Sequence, residues 1–200
     1  MLESLDELLV ECERLHGHIC PGQLLGVRMA LLGCRLIGID DPRGADRKRL
    51  IVWVEIDRCM ADAVSAVTGV RLGRRSLKYL DYGKVAATFL NLSDDSAVRI
   101  LALDESRAAA DSLYPQVESR KERQMLAYRQ IEDGRLFKIE RVRVDLDEFD
   151  MPGRPRARVT CARCLEGVND GREVFDGMGG KICRACAFGG YYRTDPRRVR

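Results

Sequence analysis

Apolar residues recur at three- and four-residue spacing near the start of the chain. Leu5, Leu8, Leu9, Cys12 and Leu15 share one side, with Asp6, Glu7 and Glu11 between them. That period predicts an amphipathic helix over residues 2–15. Ser4 suits its N-cap, and Glu7, three residues on, completes a capping box. Glycines at 17 and 22 break the pattern, and Pro21 fits the first turn of a new helix. A more apolar helix is predicted over residues 24–37, ending at Gly38.

After a turn at residues 40–44, the run 50–56 is rich in β-branched and aromatic residues and reads as a strand. Asp57, Arg58 and Cys59 lie just past its end. A short helix over 60–68 closes at Gly69. Residues 84–92 and 97–103 read as strands of a hairpin turning at 93–96. Helices are predicted over 105–113 and 118–132, then a strand of imperfect alternation over 136–146. Hairpins mixed with helical crossovers argue for an α+β fold, with helices packed on a mainly antiparallel sheet, over a doubly wound parallel one. The prolines and glycine of 151–156 mark a linker. The expected division is therefore a core domain over 1–150 and a small four-cysteine finger over 157–192.

Composition narrows the class. Of the 200 residues, 46% are apolar, enough for a real core, and no apolar run approaches the ~20 residues of a membrane helix. The acidic first residues lack the basic-then-apolar order of a signal peptide, so a cytoplasmic location with no membrane partner is expected. In that setting the eight cysteines read as metal ligands, reactive thiols or buried small residues rather than disulfides. Cys12 and Cys34, on apolar helix faces, read as core. Residues 152–200 carry a net charge of +6 and the remainder −3. The basic end permits anionic partners without requiring them.

Cys161-x2-Cys164 and Cys183-x2-Cys186 are separated by 18 residues. Each pair offers two thiolates to one side of an ion, and together they close a tetrahedral shell, as in a zinc ribbon or treble clef. A closed shell leaves no open position, so the expected role of this zinc is structural. Flanking basic residues, including Arg163, Arg184 and the tail 193–200, permit nucleic-acid contact. Tyr191 and Tyr192 are the sole aromatic platform in sight, so nucleic acid is a minor expectation.

A second cluster lies far from the first. His16 and His18, both histidines of the chain, stand within four residues of Cys20. Imidazole and thiolate are the usual donors for zinc and similar transition ions. Another ligand must come from elsewhere, and Cys59, at a strand-to-helix junction, is the best candidate. Asp62, three residues on along the same helix face, is either a hydrogen-bond partner of a ligand or a direct oxygen ligand. These five residues are also the candidates for any catalytic role.

The run His16-Gly17-His18-Ile19-Cys20-Pro21-Gly22, followed by Gly26-Val27-Arg28-Met29-Ala30, resembles the opening motif of the FmdE-like family, named for formylmethanofuran dehydrogenase. So do Cys59-x2-Asp62-Ala63, then Thr68-Gly69 and Gly73, then Asp81-Tyr82-Gly83-Lys84. The resemblance covers roughly residues 5–146, and a trailing four-cysteine finger also occurs in that family. It implies an α+β core that dimerises, with a groove lined by the His/Cys motif and able to hold a metal ion. It also implies an association with a molybdenum or tungsten enzyme of one-carbon metabolism. Carried over by position, the site residues are His16, His18, Cys20, Cys59 and Asp62, with Gly69, Tyr82 and Lys84 nearby. One stretch departs from the pattern: where the family often has cysteine, threonine and later lysine, this chain has Val70, Arg71 and Arg74. Arg71, Arg74 and Arg75 add fixed positive charge suited to a carboxylate or phosphate, and Arg71, Arg74 and Lys84 are the residues expected to bind a cofactor or ligand.

Three function classes follow. The first is a metal-binding protein, accessory to a molybdenum or tungsten formylmethanofuran dehydrogenase-type enzyme, with a transition ion, expected to be zinc, in the core. The second is a non-catalytic scaffold that holds a ligand or a partner protein. The third is a nucleic-acid- or protein-binding module acting through the basic finger.

Overall fold

The computed structural model describes residues 4–193 and Asp195. The chain divides into two compact units, residues 1–145 and 146–200. Most of the basic tail expected at 193–200 lies outside the described residues.

The first unit opens as its pattern predicts. Helix α1 (Leu5–His16) begins at Ser4, whose hydroxyl accepts the Glu7 N–H at 3.3 Å while the Glu7 carboxylate accepts the Ser4 N–H at 2.8 Å. It ends at Gly17, which takes the left-handed conformation (φ 90°) and donates its N–H to the Glu13 carbonyl. Helix α2 (Pro21–Leu36) starts earlier than its apolar period suggests, with Pro21 in the first turn and Cys20 as N-cap. Then follow β1 (Leu50–Val54), α3 (Cys59–Thr68), β2 (Leu77–Tyr79), β3 (Ala86–Asn91), β4 (Ala97–Ala102), α4 (Glu105–Leu113), α5 (Arg120–Gln130), α6 (Asp133–Leu136) and β5 (Phe137–Arg141).

The five strands form one sheet in the order β2-β1-β3-β4-β5, antiparallel throughout except for the β1–β2 pair. This is the expected α+β architecture. Strand β2 was not expected from the sequence. It is three residues long and makes β1-α3-β2 a parallel crossover, which brings the start of α3 to the end of β1.

Alternate residues of the strands face the helices. Val52, Val54, Phe89, Val98 and Ile100 join Leu24, Val27, Met60 and Val64 in one buried cluster. Each such side chain withdrawn from water contributes about 1.5–3 kcal/mol. Helices α2 and α3 approach very closely: a Cβ on Gly26 would stand 2.7 Å from both the Ala63 Cβ and the Met60 carbonyl oxygen. Only glycine admits that crossing, and the crossing aligns the two helix starts. On the opposite face of the sheet Trp53, Thr88, Arg99 and Glu140 stand in register. Arg99 makes a two-pronged ion pair with the buried Glu55 carboxylate at 2.7 and 2.8 Å. Arg28, reaching from α2, donates to the Tyr128 and Ile131 carbonyls at the end of α5 and to Asp133.

The second unit is built of short pieces. A 3-10 turn (Glu148–Asp150) precedes the hairpins β6 (Arg158–Thr160) with β7 (Gly167–Asn169), and β8 (Glu173–Phe175) with β9 (Lys181–Cys183); helix α7 (Arg184–Phe188) follows. The second hairpin is the one expected between the cysteine pairs. Only Cys161, Ile182 and Asp170 are buried among its described residues. Asp170 accepts the N–H groups of Arg156 and Ala157. Several basic residues of the unit are engaged internally: Arg172 with Asp150, Arg156 with Glu148, Lys181 with Glu173, and Arg163 with the Cys186 carbonyl.

None of the described helices is long and apolar enough to cross a membrane.

Candidate metal centre

Three helix ends of the first unit converge. His16 is the last residue of α1, Cys20 caps the start of α2, and Cys59 opens α3. One ligand atom from each lies within 4.8 Å of the others. Around a tetrahedral zinc with ~2.3 Å bonds, donors sit about 3.8 Å apart, so the three would need to close by at most about an ångström. A Cβ on Gly22 would be 3.4 Å from the Cys59 Cβ and 3.7 Å from the Cys20 sulfur, so this glycine sits between the two thiols. Cys20 is the N-cap of α2 and Cys59 the first residue of α3, so both thiols stand at helix N-termini.

His16 is oriented from behind. Its Nδ1 lies 2.8 Å from an Asp62 carboxylate oxygen, one turn along α3 from Cys59. That contact occupies Nδ1 and leaves Nε2 as the ring nitrogen available to an ion. Burial, with the neighbouring Cys20 thiol, raises the Cys59 thiol above the ordinary range, and the Asp62 charge adds to this. Ligation must therefore displace a proton held more firmly than usual.

Of the residues expected here, the structure brings His16, Cys20 and Cys59 together and sets Asp62 behind them. His18 lies beside His16 but is not among the three residues whose ligand atoms lie within 4.8 Å of one another. It is exposed, and its ring centroid lies 4.8 Å from that of His16 with the planes tilted by 48°. Helix α1 ends at His16 and Gly17 then turns the chain, so His18 lies in the irregular segment that follows. The clustered group includes His16 and not His18, a choice between the two that the sequence leaves open.

The expected basic ligand-binding residues are dispersed. Arg71 donates to the Ser65 hydroxyl at 2.6 Å and to the Ser65 carbonyl, at the far end of α3 from Cys59. Arg74 ends an exposed 3-10 turn, Leu72–Arg74, beyond it. Val70, where the family often has cysteine, is buried in the apolar core. Lys84 donates its N–H to the Glu55 carbonyl, at the end of β1 that leads to Cys59, and its ammonium lies 5.9 Å from the Tyr82 ring centroid. Cys12 and Cys34 are buried core residues, their thiols pushed up by burial to about 11 and about 12.

In the second unit, ligand atoms of Cys161, Cys164, Cys183 and Cys186 also lie within 4.8 Å of one another. Cys161 and Cys164 occupy the turn between β6 and β7, Cys183 ends β9, and Cys186 lies in α7. Backbone N–H groups of Cys164 and Cys183 draw the Cys161 thiol down to about 6. The Cys183 N–H lies 3.2 Å from the Cys161 sulfur, and the Cys186 N–H lies 3.3 Å from the Cys183 sulfur. At Cys161 the N–H donors favour the thiolate, the form a metal binds, whereas the Cys183 thiol and burial push the Cys186 thiol up to about 12.

The model of the family described as "FmdE, Molybdenum formylmethanofuran dehydrogenase operon" matches residues 15–144, the span that holds the three converging ligands. The chain belongs to the FmdE family. The crystal structure of a tungsten formylmethanofuran dehydrogenase FmdE-like protein from Syntrophus aciditrophicus superposes with a TM-score of 0.63 over 96% of each chain, at 21% sequence identity. That likeness establishes an FmdE-like fold. A "Probable S-adenosyl-L-methionine-binding protein" of Archaeoglobus fulgidus is 38% identical over 98 residues, 48% of this chain. The chain spans only 27% of that relative's length. With family, fold and two clusters of metal-type donors in agreement, this FmdE protein is metal-binding.

Proposed function

We propose that the core unit carries one transition-metal ion, zinc by its donor set, on His16, Cys20 and Cys59, and that the second unit carries a structural zinc on its four cysteines. The convergence of one imidazole and two thiols at three helix ends, with a carboxylate on the imidazole, supports this reading. Three protein donors leave one position open, the pattern of a working rather than a purely structural site. A divalent ion so held supplies an electrophilic position for activating water or polarising a carbonyl.

The side chains around it have separate tasks. Asp62 holds the proton on His16 Nδ1 and keeps the ring in the tautomer that presents Nε2. Exposed His18, beside His16, is the group placed to take or give a proton in the same space. The protein acts in this reading as a homodimeric accessory component of a molybdenum or tungsten formylmethanofuran dehydrogenase-type enzyme of one-carbon metabolism.

Metal analysis tests the site directly. Two equivalents per wild-type chain should fall to one in Cys20→Ser and in Cys59→Ser. One equivalent in all three would overturn the core site. Co-purification with a molybdenum or tungsten oxidoreductase tests the partnership, and a tagged chain recovered without any such enzyme would refute it.

A further inference from the structure

We infer that Gln23 is a positioning residue for the core metal site: by bonding the Cys12 carbonyl, its side-chain amide fixes the end of α1 that carries His16 against the start of α2 that carries Cys20. The inference rests on the reading that His16, Cys20 and Cys59 hold an ion.

Gln23 is fully buried in the first turn of α2, next to the core residues Leu24 and Leu25. The apolar pattern calls for a hydrophobe at such a place. Its Nε2 donates to the Cys12 carbonyl at 3.2 Å, and its Oε1 is buried with no hydrogen-bond partner. A buried amide oxygen left unpaired is unfavourable, and a methionine of similar volume would avoid it. Packing alone therefore does not account for an amide here.

Its connections do. Cys12 lies one turn before His16, and its carbonyl is the helix-ladder acceptor opposite the His16 N–H. The Gln23 and Leu24 N–H groups both return to the Cys20 carbonyl, at 3.1 and 3.2 Å. One residue is thus tied through its backbone to the turn of one ligand and through its side chain to the turn of another. The segment between, residues 17–20, has no regular structure and cannot set that distance itself. Apolar contacts between α1 and α2 tolerate sliding, whereas a directed hydrogen bond does not. Sites whose supporting contacts are loose misplace their ligands.

Gln23→Met keeps the volume and removes the donor. Cobalt(II) titration of the full chain, read as the absorption difference against Cys20→Ser, isolates the core site. Gln23→Met should bind cobalt there on the order of 10-fold more weakly, with altered d–d band intensity, while its thermal midpoint is unchanged or raised. Val27→Ala, a cavity in the same helix, should lower the midpoint and leave the cobalt spectrum alone. Should Gln23→Met fail to fold, Gln23→Leu serves the same comparison. Wild-type cobalt affinity and spectrum in a folded Gln23 variant would overturn the inference alone. No cobalt difference between wild type and Cys20→Ser would overturn the core-site reading and this inference with it.

Discussion

The Asp62 carboxylate lies 2.8 Å from His16 Nδ1, and this contact joins the last residue of one helix to the first turn of another. Asp62 is largely solvent-exposed, so the contact is worth little to the fold but sets which nitrogen of His16 is free. Asp62→Asn should weaken metal binding at the core site by about 10- to 100-fold, as losing the carboxylate partner of a ligating histidine does elsewhere. Its thermal stability should shift by no more than about 0.5 kcal/mol equivalent. Competition with a chromophoric chelator measures the first, and a melting curve the second.

The α2–α3 crossing at Gly26 is the mechanical basis of the site. Gly26→Val would drive methyl groups into the Met60 backbone and Ala63, and backbone cannot yield as a side-chain tip can. The expected loss is about 1–3 kcal/mol or more in urea unfolding. Core metal should be lost along with it, because Cys20 and Cys59 are carried by the two helices that separate.

Cys34 links stability to alkaline pH. Burial lifts its thiol from an ordinary value near 9 to about 12 in the folded chain. Between those values the folded state retains a proton that the unfolded state has released, so stability falls as pH rises. The contribution is complete below the unfolded value and is lost progressively toward pH 12. Cys34→Ala should flatten the fall in unfolding free energy above about pH 9 relative to wild type. Parallel curves for the two proteins would show that the thiol is not the group responsible.

Arg99 and Glu55 form a pair whose acidic member is nearly enclosed. Arg99→Met strands the carboxylate and should cost about 3 kcal/mol. Adding Glu55→Leu should recover most of that, since removing both charges removes the desolvation problem. Equal stability of the single and double variants in chemical denaturation would argue against the pair as drawn.

The four-cysteine unit buries too few residues among those described to hold itself together. Cys186→Ser, or a strong chelator, should unfold residues 146–200 while the helix-and-sheet unit keeps its protection. Limited proteolysis, with cleavage confined to the C-terminal unit, is the readout.

The sequence exposed some of this plainly and concealed the rest for physical reasons. Ser4 and Glu7 announced the start of α1 because capping chemistry is local. Strand β2 was hidden because its three residues, Leu77, Lys78 and Tyr79, owe their conformation to pairing with β1, not to any alternation of their own. The last strand ends earlier than its alternation predicts, for the complementary reason. Residues 142–146 keep an alternating pattern, but β4 begins at Ala97, so after Arg141 only one further ladder bond, Val142 N–H to the Ala97 carbonyl, can form. At the site, residue types and the strand-to-helix junction pointed to Cys59, which the fold brings near Cys20 across nearly forty positions of sequence. They could not separate His16 from His18, because that choice depends on where α1 stops.

The two donor clusters also differ in when they come into being. His16, Cys20 and Cys59 are brought near one another by helices that pack on a sheet with a large apolar core, so their approach follows from the folding of that unit. The finger has no comparable core among its described residues, so with the proposed zinc its shape would come with its ion. On the proposed reading, the core could wait as a socket already shaped by its helices and take its ion after folding. The finger would have no such latitude, since on the proposed reading its zinc supplies the folding free energy that its few buried residues do not.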